Sequence, residues 1–163
     1  MVAVDDPHAP DVGRVVARHL AFNHGVTAPG HVHALDSAAL ADPAVTLVSA
    51  RRHGVLLGIG ALRHLDDDHA EIKSMHTVED ARRRGVGRTM VRALLALAAA
   101  RRYRRVSLET GTSEAHAPAR SLYRAAGFSP CAPFGEYTEN PHSVCMTITV
   151  DDRRPPTSPG PAR

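Results

Sequence analysis

The sequence predicts an α/β fold in one domain over residues 1–150, and three observations support this prediction. The chain has 163 residues, of which 43% are hydrophobic, enough for one sizeable core. Two apolar runs, 45–50 and 55–64, are joined by a glycine-containing turn, which is typical of a β-hairpin. Four apolar residues have the i, i+3, i+4, i+7 spacing of a helix that packs on a core: Val91, Leu94, Leu95 and Ala98.

The first part of the chain is predicted to hold one short strand and two helices. Residues 2–5 form the strand, and a helix starts at Pro10 with Asp11 as its N-cap. Residues 23–34 contain two glycines, a proline and three histidines, a composition that predicts a loop. Asp36 then caps a short helix that ends near Asp42.

The middle of the chain is predicted to supply a strand and a long helix on either side of a basic turn. Residues 70–77 form the strand, and simple alternation places Glu71 and His76 on opposite faces of the sheet. Residues 86–102 form the helix, and a buried strand follows at 105–110.

The last part of the chain completes the sheet. A second helix is predicted over residues 115–126, with Gly127 at its end. Residues 128–132 and 144–150 can then pair as antiparallel strands. The final segment, 151–163, contains four prolines and is predicted to be a disordered tail.

The turn at residues 82–87, Arg-Arg-Arg-Gly-Val-Gly, is predicted to bind an anion. Backbone N–H groups at the start of a helix lack internal partners and attract phosphate groups, and glycine lets the backbone approach them closely. The turn is no P-loop, because Arg88 stands where that motif requires lysine. It is no dinucleotide fingerprint either, because Met90 stands where a third glycine is required.

Three segments, taken in order, resemble the GNAT superfamily of acetyl-CoA-dependent N-acetyltransferases. They are Ala70-Glu71-Ile72, the turn Arg82-x-x-Gly85-x-Gly87, and the segment 119–128 with Leu122-Tyr123 and Gly127-Phe128. A broader similarity to a bacterial branch with mostly unassigned substrates covers residues 31–149. The resemblance implies a mixed, mostly antiparallel sheet of about six or seven strands, with helices on both faces and a splay between strands 4 and 5.

The resemblance also implies acetyl-CoA as the acyl donor and a set of residues that bind it. The strand N–H groups near Met75–Thr77 would face the thioester, and the basic turn would hold the pyrophosphate. His116 stands where the family often has an asparagine that bonds the pantetheine. The full set of predicted cofactor-binding residues is Met75, His76, Thr77, Arg82, Arg83, Arg84, Gly85, Val86, Gly87, Arg88, Thr89, His116, Ala119 and Tyr123.

The resemblance and the chemistry of amide formation together assign the catalytic residues. An attacking amine must lose a proton, and Glu71 is predicted to be the general base, with His76 as an alternative. The departing thiolate needs a proton, which the Tyr123 phenol can donate. The residues predicted to bind the acceptor are His31, His33, Glu71, Glu109, Phe134 and Tyr137.

The composition of the chain argues against nucleic-acid binding, a membrane span and a metal site. The chain has no tryptophan and 4% aromatic residues, so its arginine clusters lack the stacking platform of a nucleic-acid site, and no apolar run is long enough to span a membrane. Its two cysteines are predicted to be free thiols, its histidines form no metal motif, and a cytoplasmic location is expected. The resemblance is also compatible with a homodimer.

The leading function is therefore N-acetylation of a small-molecule amine. Two alternatives remain open at this point: N-acetylation of a protein or peptide, which the same groups can perform, and a non-catalytic acyl-CoA-binding module.

Overall fold

The computed structural model describes residues 1–150, which form seven strands and four α-helices. The strands are β1 (Val2–Val4), β2 (Val45–Arg52), β3 (Val55–Asp66), β4 (His69–Thr77), β5 (Arg105–Gly111), β6 (Ser129–Cys131) and β7 (Ser143–Thr149). The helices are α1 (Pro10–Val26), α2 (Ser37–Leu40), α3 (Val86–Ala100) and α4 (Ala117–Ala125). Short 3-10 turns at Glu79–Ala81 and Glu114–His116 precede α3 and α4. The tail predicted for residues 151–163 lies outside the described residues.

All seven strands belong to one sheet with the order β1-β2-β3-β4-β5-β7-β6. The pairs are antiparallel except β4 with β5, which run parallel. These two strands share only three register pairs, which end at Glu71↔Ser107, although both strands continue beyond that point. The predicted sheet, with its splay between strands 4 and 5, is therefore confirmed.

Helices cover both faces of the sheet, as predicted. Helices α3 and α4 pack on one face over a core that includes Leu94 and Tyr123. Helices α1 and α2 pack on the other face, where Val12, Leu40 and Ile59 are fully buried. Both cores stabilise the fold by removing apolar surface from water. Neither core fills the gap between β4 and β5, which stays accessible to a ligand.

The start of α1 differs from the prediction, because Ala9 is its N-cap and Pro10 is its first residue. Proline suits the first helical position, where no N–H bond is needed and its φ is already helical. Asp11 is consequently inside the first turn, and its carboxylate pairs with Arg51 of β2 at 2.6 Å. By contrast, Asp36 caps α2 as predicted and accepts a bond from the Ala39 N–H at 2.8 Å.

The predicted loop at 23–34 is also wrong at its start, because α1 continues to Val26. Asn23 lies within the helix, where its side-chain amide donates to the His19 carbonyl at 2.9 Å. Its side-chain oxygen is 3.3 Å from the His116 ring, across the gap in the sheet. Gly25 is thus helical despite its low helix propensity, which tertiary packing commonly overrides.

A β-bulge in β4 overturns the expected alternation of Glu71 and His76. Lys73 pairs with Ala61 and His76 pairs with Ile59, so three residues of β4 replace two, and Ser74 has φ +55°. The extra residue reverses the facing of everything after it. His76 therefore lies on the same face as Glu71, and its ring meets His19 of α1 at 5.4 Å.

Candidate functional site

A cavity of about 860 Å³ opens where β4 and β5 separate. Its floor is formed by the diverging strands, one wall by α1 and residues 27–34, and the other wall by the starts of α3 and α4. Beyond Glu71 and Ser107, β4 and β5 are no longer paired with each other. The backbone N–H and C=O groups on their facing edges therefore lack a strand partner and can bind a ligand.

The basic turn forms one end of this cavity. Gly85 is the N-cap of α3 and has φ +80°, a left-handed conformation that favours glycine. A Cβ at Gly87 would lie 3.1 Å from the Leu122 side chain, so glycine permits the close approach of α3 and α4. The first N–H groups of α3 and the side chains of Arg82, Arg83 and Arg88 line the same end. This arrangement suits a pyrophosphate.

Most of the predicted cofactor-binding residues line the cavity. Two do not: Arg84 borders a separate shallow groove with Asp80, and the Thr89 hydroxyl donates to the Gly85 carbonyl at 3.1 Å. The cavity does contain the remaining twelve, namely Met75, His76, Thr77, Arg82, Arg83, Gly85, Val86, Gly87, Arg88, His116, Ala119 and Tyr123.

The predicted acceptor residues divide into two groups. His31, His33 and Glu109 line the cavity. Glu71, Phe134 and Tyr137 are not among the lining residues within 1–150, and they lie behind Lys73 in a polar cluster. The Tyr137 hydroxyl donates to Glu71 Oε1 at 2.5 Å, and the Phe134 ring packs on the Tyr137 ring at 5.0 Å.

Lys73 connects this polar cluster to the cavity. Its Nζ donates to the Tyr137 hydroxyl at 2.7 Å and to the His33 carbonyl at 2.8 Å, and it lies 3.5 Å from Glu71 Oε1. Glu71 is 2% exposed, so its carboxylate is held by these partners and separated from the cavity by Lys73.

Glu109 of β5 and Tyr123 of α4 both line the cavity. Burial raises the pKa of Glu109 to about 7, although the nearby Lys73 charge opposes this rise. Burial, and then the charge of Glu109, raise the pKa of Tyr123 above its usual value, so the phenol stays protonated. The cavity thus contains a carboxylate suited to accept a proton near neutral pH and a phenol suited to donate one.

Ser74 lies at the β4 bulge and is one of the residues that line the cavity. The residue is 7% exposed, and its Oγ has no hydrogen-bond partner within the described residues. A buried hydroxyl without a partner costs free energy, so a ligand that hydrogen-bonds to it would recover that cost. This orphaned oxygen fits a polar linear ligand running from the basic turn into the splay.

Histidines surround the α1 side of the cavity. His116 Nδ1 is 2.8 Å from Ser113 Oγ, and its ring sits over Gly111, where a Cβ would be 2.3 Å from Nδ1. Burial lowers the pKa of His19 to about 4, and it also lowers the pKa values of His33, His76 and His116. These four rings are therefore predominantly neutral at pH 7.

The cavity residues that sequence reasoning missed include four polar ones that matter for the chemistry: His19, Asn23, Lys73 and Ser74. A signal existed for one of them, because Lys73 is the chain's only lysine and stands two residues after Glu71. The other three depend on the continuation of α1 and on the bulge, which local pattern does not show.

Residues 1–150 contain neither a candidate metal site nor a candidate membrane-spanning helix. No group of three or more His, Cys, Asp or Glu side chains there is placed to hold a metal ion. In the same range, no helix combines the length and hydropathy needed to cross a membrane.

Comparison with known proteins gives a consistent family. The model of the acetyltransferase (GNAT) family matches residues 17–128. The chain is 40% identical to the uncharacterized N-acetyltransferase YsnE of Bacillus subtilis over 146 residues, which cover 90% of this chain and 97% of that one. It is also 40% identical to the uncharacterized N-acetyltransferase YedL of Escherichia coli over 149 residues, 91% and 94% of the two chains.

A solved structure supports the fold. An aminoglycoside 6'-N-acetyltransferase complexed with coenzyme A superposes with a TM-score of 0.70, at 13% sequence identity, over 95% of this chain and 99% of that one.

Proposed function

Because the chain belongs to the acetyltransferase (GNAT) family, whose members take the acetyl group from acetyl-CoA, we propose that it transfers this group to the primary amine of a small molecule. The transfer occurs by direct attack, with both substrates bound together. The observation that carries the proposal is the placement of Glu109 and Tyr123 on one cavity that ends at the basic turn.

The residues of the cavity suit the donor. The start of α3 and its arginines would hold the pyrophosphate, and Ser74 Oγ with the separated strand backbone would bind the pantetheine and the thioester carbonyl. Acetyl-CoA supplies an activated acyl group with a good leaving thiolate.

Glu109, rather than Glu71, is proposed to take the proton from the attacking amine. Glu109 reaches the cavity and has a pKa near the working pH, whereas Glu71 is sealed behind Lys73. The N–C bond forms as the amine proton passes to Glu109, and the C–S bond breaks as Tyr123 donates its proton to sulfur. Glu71 then serves as a positioning residue, because it orients Tyr137 and Lys73.

The segment of residues 31–34, which borders the acceptor side of the cavity, favours a small acceptor. The His33 carbonyl is bonded to Lys73, so residues 31–34 close over β4 on the acceptor side. A protein substrate would need an open groove at this position.

The test is calorimetric titration of the full chain with acetyl-CoA, with NAD and ATP as controls. We expect binding of acetyl-CoA alone, followed by release of the CoA thiol when a pool of primary amines is added. Gly87→Glu should abolish binding by placing a carboxylate in the turn, whereas Gly13→Glu, where a Cβ meets nothing within 4 Å, should not. Equal binding by the two variants would overturn the assignment of the turn.

A further inference from the structure

Few charged side chains line the half of the cavity that would hold the acceptor. We define this half as the surface given by α1, residues 27–34 and the faces of β4 and β5 that carry Glu71 and Glu109. Within residues 1–150, its charged side chains are Lys73 and Glu109, and the rest is histidine, apolar or uncharged polar, such as Asn23 and Thr27. A polycationic acceptor would find no acidic partner there besides Glu109, so the site matches a molecule with one amine.

The two charges occupy corresponding positions on either side of the splay. The last β4–β5 register pair is Glu71↔Ser107, and Lys73 and Glu109 each lie two residues beyond it. Two residues along a strand restore the same facing, so both side chains lie on the α1 face of the sheet. The register of β5 with β7 is unbroken through Glu109, and the bulge in β4 comes only after Lys73.

Lys73 retains capacity for a ligand. An ammonium group has three N–H donors, and two of them bond to the His33 carbonyl and the Tyr137 hydroxyl. Glu71 Oε1, at 3.5 Å, balances the charge at longer range than a hydrogen bond. The third donor belongs to a side chain that lines the cavity, so an anionic group entering beside Glu109 can accept from it.

We propose that the acceptor is a small amino acid, with its carboxylate bound by Lys73 and its amine beside Glu109. This inference rests on the proposed function and specifies its substrate class. Lys73 is then the residue that selects for the carboxylate, while Glu109 acts on the amine.

The first experiment uses the wild-type chain. Release of the CoA thiol is measured with a pool of the twenty L-amino acids and with the matching pool of L-amino acid amides, which keep the amine and lose the carboxylate. A charge-assisted hydrogen bond predicts a preference of about 10- to 100-fold in kcat/KM for the acids. Equal rates, a preference for the amides, or faster acetylation of spermidine would overturn the proposal.

The second experiment assigns the preference to Lys73. In Lys73→Met the ratio of acid to amide rates should fall to about one, whereas the control Arg104→Met, which removes an exposed charge at the other end of the molecule, should keep the wild-type ratio. A wild-type ratio in Lys73→Met would overturn the role of this residue. Circular dichroism of both variants checks that they fold.

A binding measurement keeps the proposal testable if turnover is absent. Because Lys73 is the chain's only lysine, protein made with 13C-lysine has one labelled side chain. In the CoA-loaded protein, its Cε signal should shift with the acid pool and not with the amide pool. That shift without turnover in either pool would contradict the proposed amine transfer but support the carboxylate site. No shift with the acids would overturn the carboxylate site itself.

Discussion

The two ends of the β4–β5 pair differ in how their polar groups are satisfied. At the paired end, His69 Nε2 lies 2.7 Å from Ser107 Oγ, which lies 2.8 Å from Thr147 Oγ1. Arg105 reaches His69 Nδ1 at 3.1 Å, and Thr147 donates to the Val106 carbonyl at 3.3 Å. Because arginine is only a donor, the chain of bonds runs in one direction from Arg105 to that carbonyl.

At the splayed end, Ser74 of β4 and Glu109 of β5 are in a different situation. Ser74 Oγ has no partner within residues 1–150, and burial raises the pKa of Glu109. Within residues 1–150, the buried side-chain polar atom that lacks a partner, Ser74 Oγ, therefore lies at the splayed end. Such groups reduce the stability of the free protein, and they are ready to bind a ligand.

The largest effect should come from exchanging Glu109 and Glu71, one at a time, for glutamine. Glu109→Gln should lower kcat by about 10²- to 10⁴-fold, because it removes the proposed proton acceptor. Glu71→Gln should lower kcat less and mainly reduce stability. Initial rates at saturating acetyl-CoA measure both, and exposed Glu139→Gln is the control. A greater loss of kcat in Glu71→Gln would return the role of base to Glu71.

The next effect concerns the leaving group. Tyr123→Phe keeps the ring contact with Phe128 and removes the phenol proton. We expect a loss of kcat of about 10²-fold, from the removal of one general acid. The loss should shrink with an acetyl thioester whose thiol has a low pKa, since its thiolate leaves without a proton. An equal loss with both thioesters would argue against the proton donation.

Local pattern could predict most of the helices and strands and the glycine-containing turn before α3. The mixed sheet and its splay were implied by the resemblance to the GNAT superfamily, and the role of Tyr123, implied by the same resemblance, stays a prediction. The sequence could not predict which glutamate faces the cavity. Glu71 and Glu109 both lie on apolar strands, and their exposure depends on Lys73 and Tyr137, which are brought together from distant segments. The facing of His76 was missed because one inserted residue at Ser74 reverses the alternation.

Removing a hydrogen-bonding group at the paired end of β4 and β5 should lower the free energy of unfolding. Ser107→Ala would leave the His69 and Thr147 groups without their shared partner, which predicts a loss of about 1–3 kcal/mol in the free energy of unfolding. Acetyl-CoA affinity should not change. Urea denaturation and calorimetry test this pair of results, and a weaker affinity with unchanged stability would reverse the roles assigned to the two ends.

The raised pKa of Glu109 should make the free energy of unfolding depend on pH. Its folded pKa of about 7 exceeds the reference value of 4.5, so the folded state holds more protons between these values. Its contribution to stability is therefore full below pH 4.5 and is lost as pH rises through 7.

Glu109→Gln should then be more stable than wild type by about 1–3 kcal/mol at pH 8, and the difference should vanish near pH 4. The histidines with lowered pKa values make stability rise with pH, but they are the same in both proteins, so their contribution cancels in the difference between Glu109→Gln and wild type. Urea denaturation at both pH values measures it, and a difference that is equal at the two values would contradict the raised pKa.

The smallest effect is expected at Ser74. Ser74→Ala removes a buried hydroxyl without a partner, so the free protein should gain up to about 1 kcal/mol. Acetyl-CoA should bind about 2- to 10-fold more weakly if the hydroxyl bonds to it. Thermal unfolding without ligand and calorimetry with acetyl-CoA give the two values, which should move in opposite directions. Unchanged affinity would remove Ser74 from the donor site.

The pH dependence of kcat at saturating substrates, measured for wild type, Glu71→Gln and Glu109→Gln, tests most directly whether Glu109 takes the proton from the amine. We expect kcat of wild type and of Glu71→Gln to rise with pH and to level above an apparent pKa near 7, because burial raises the pKa of Glu109 to about that value. Glu109→Gln should lose this rise. A rise that persists in Glu109→Gln and disappears in Glu71→Gln would show that the reactive carboxylate lies at the paired end of the strands.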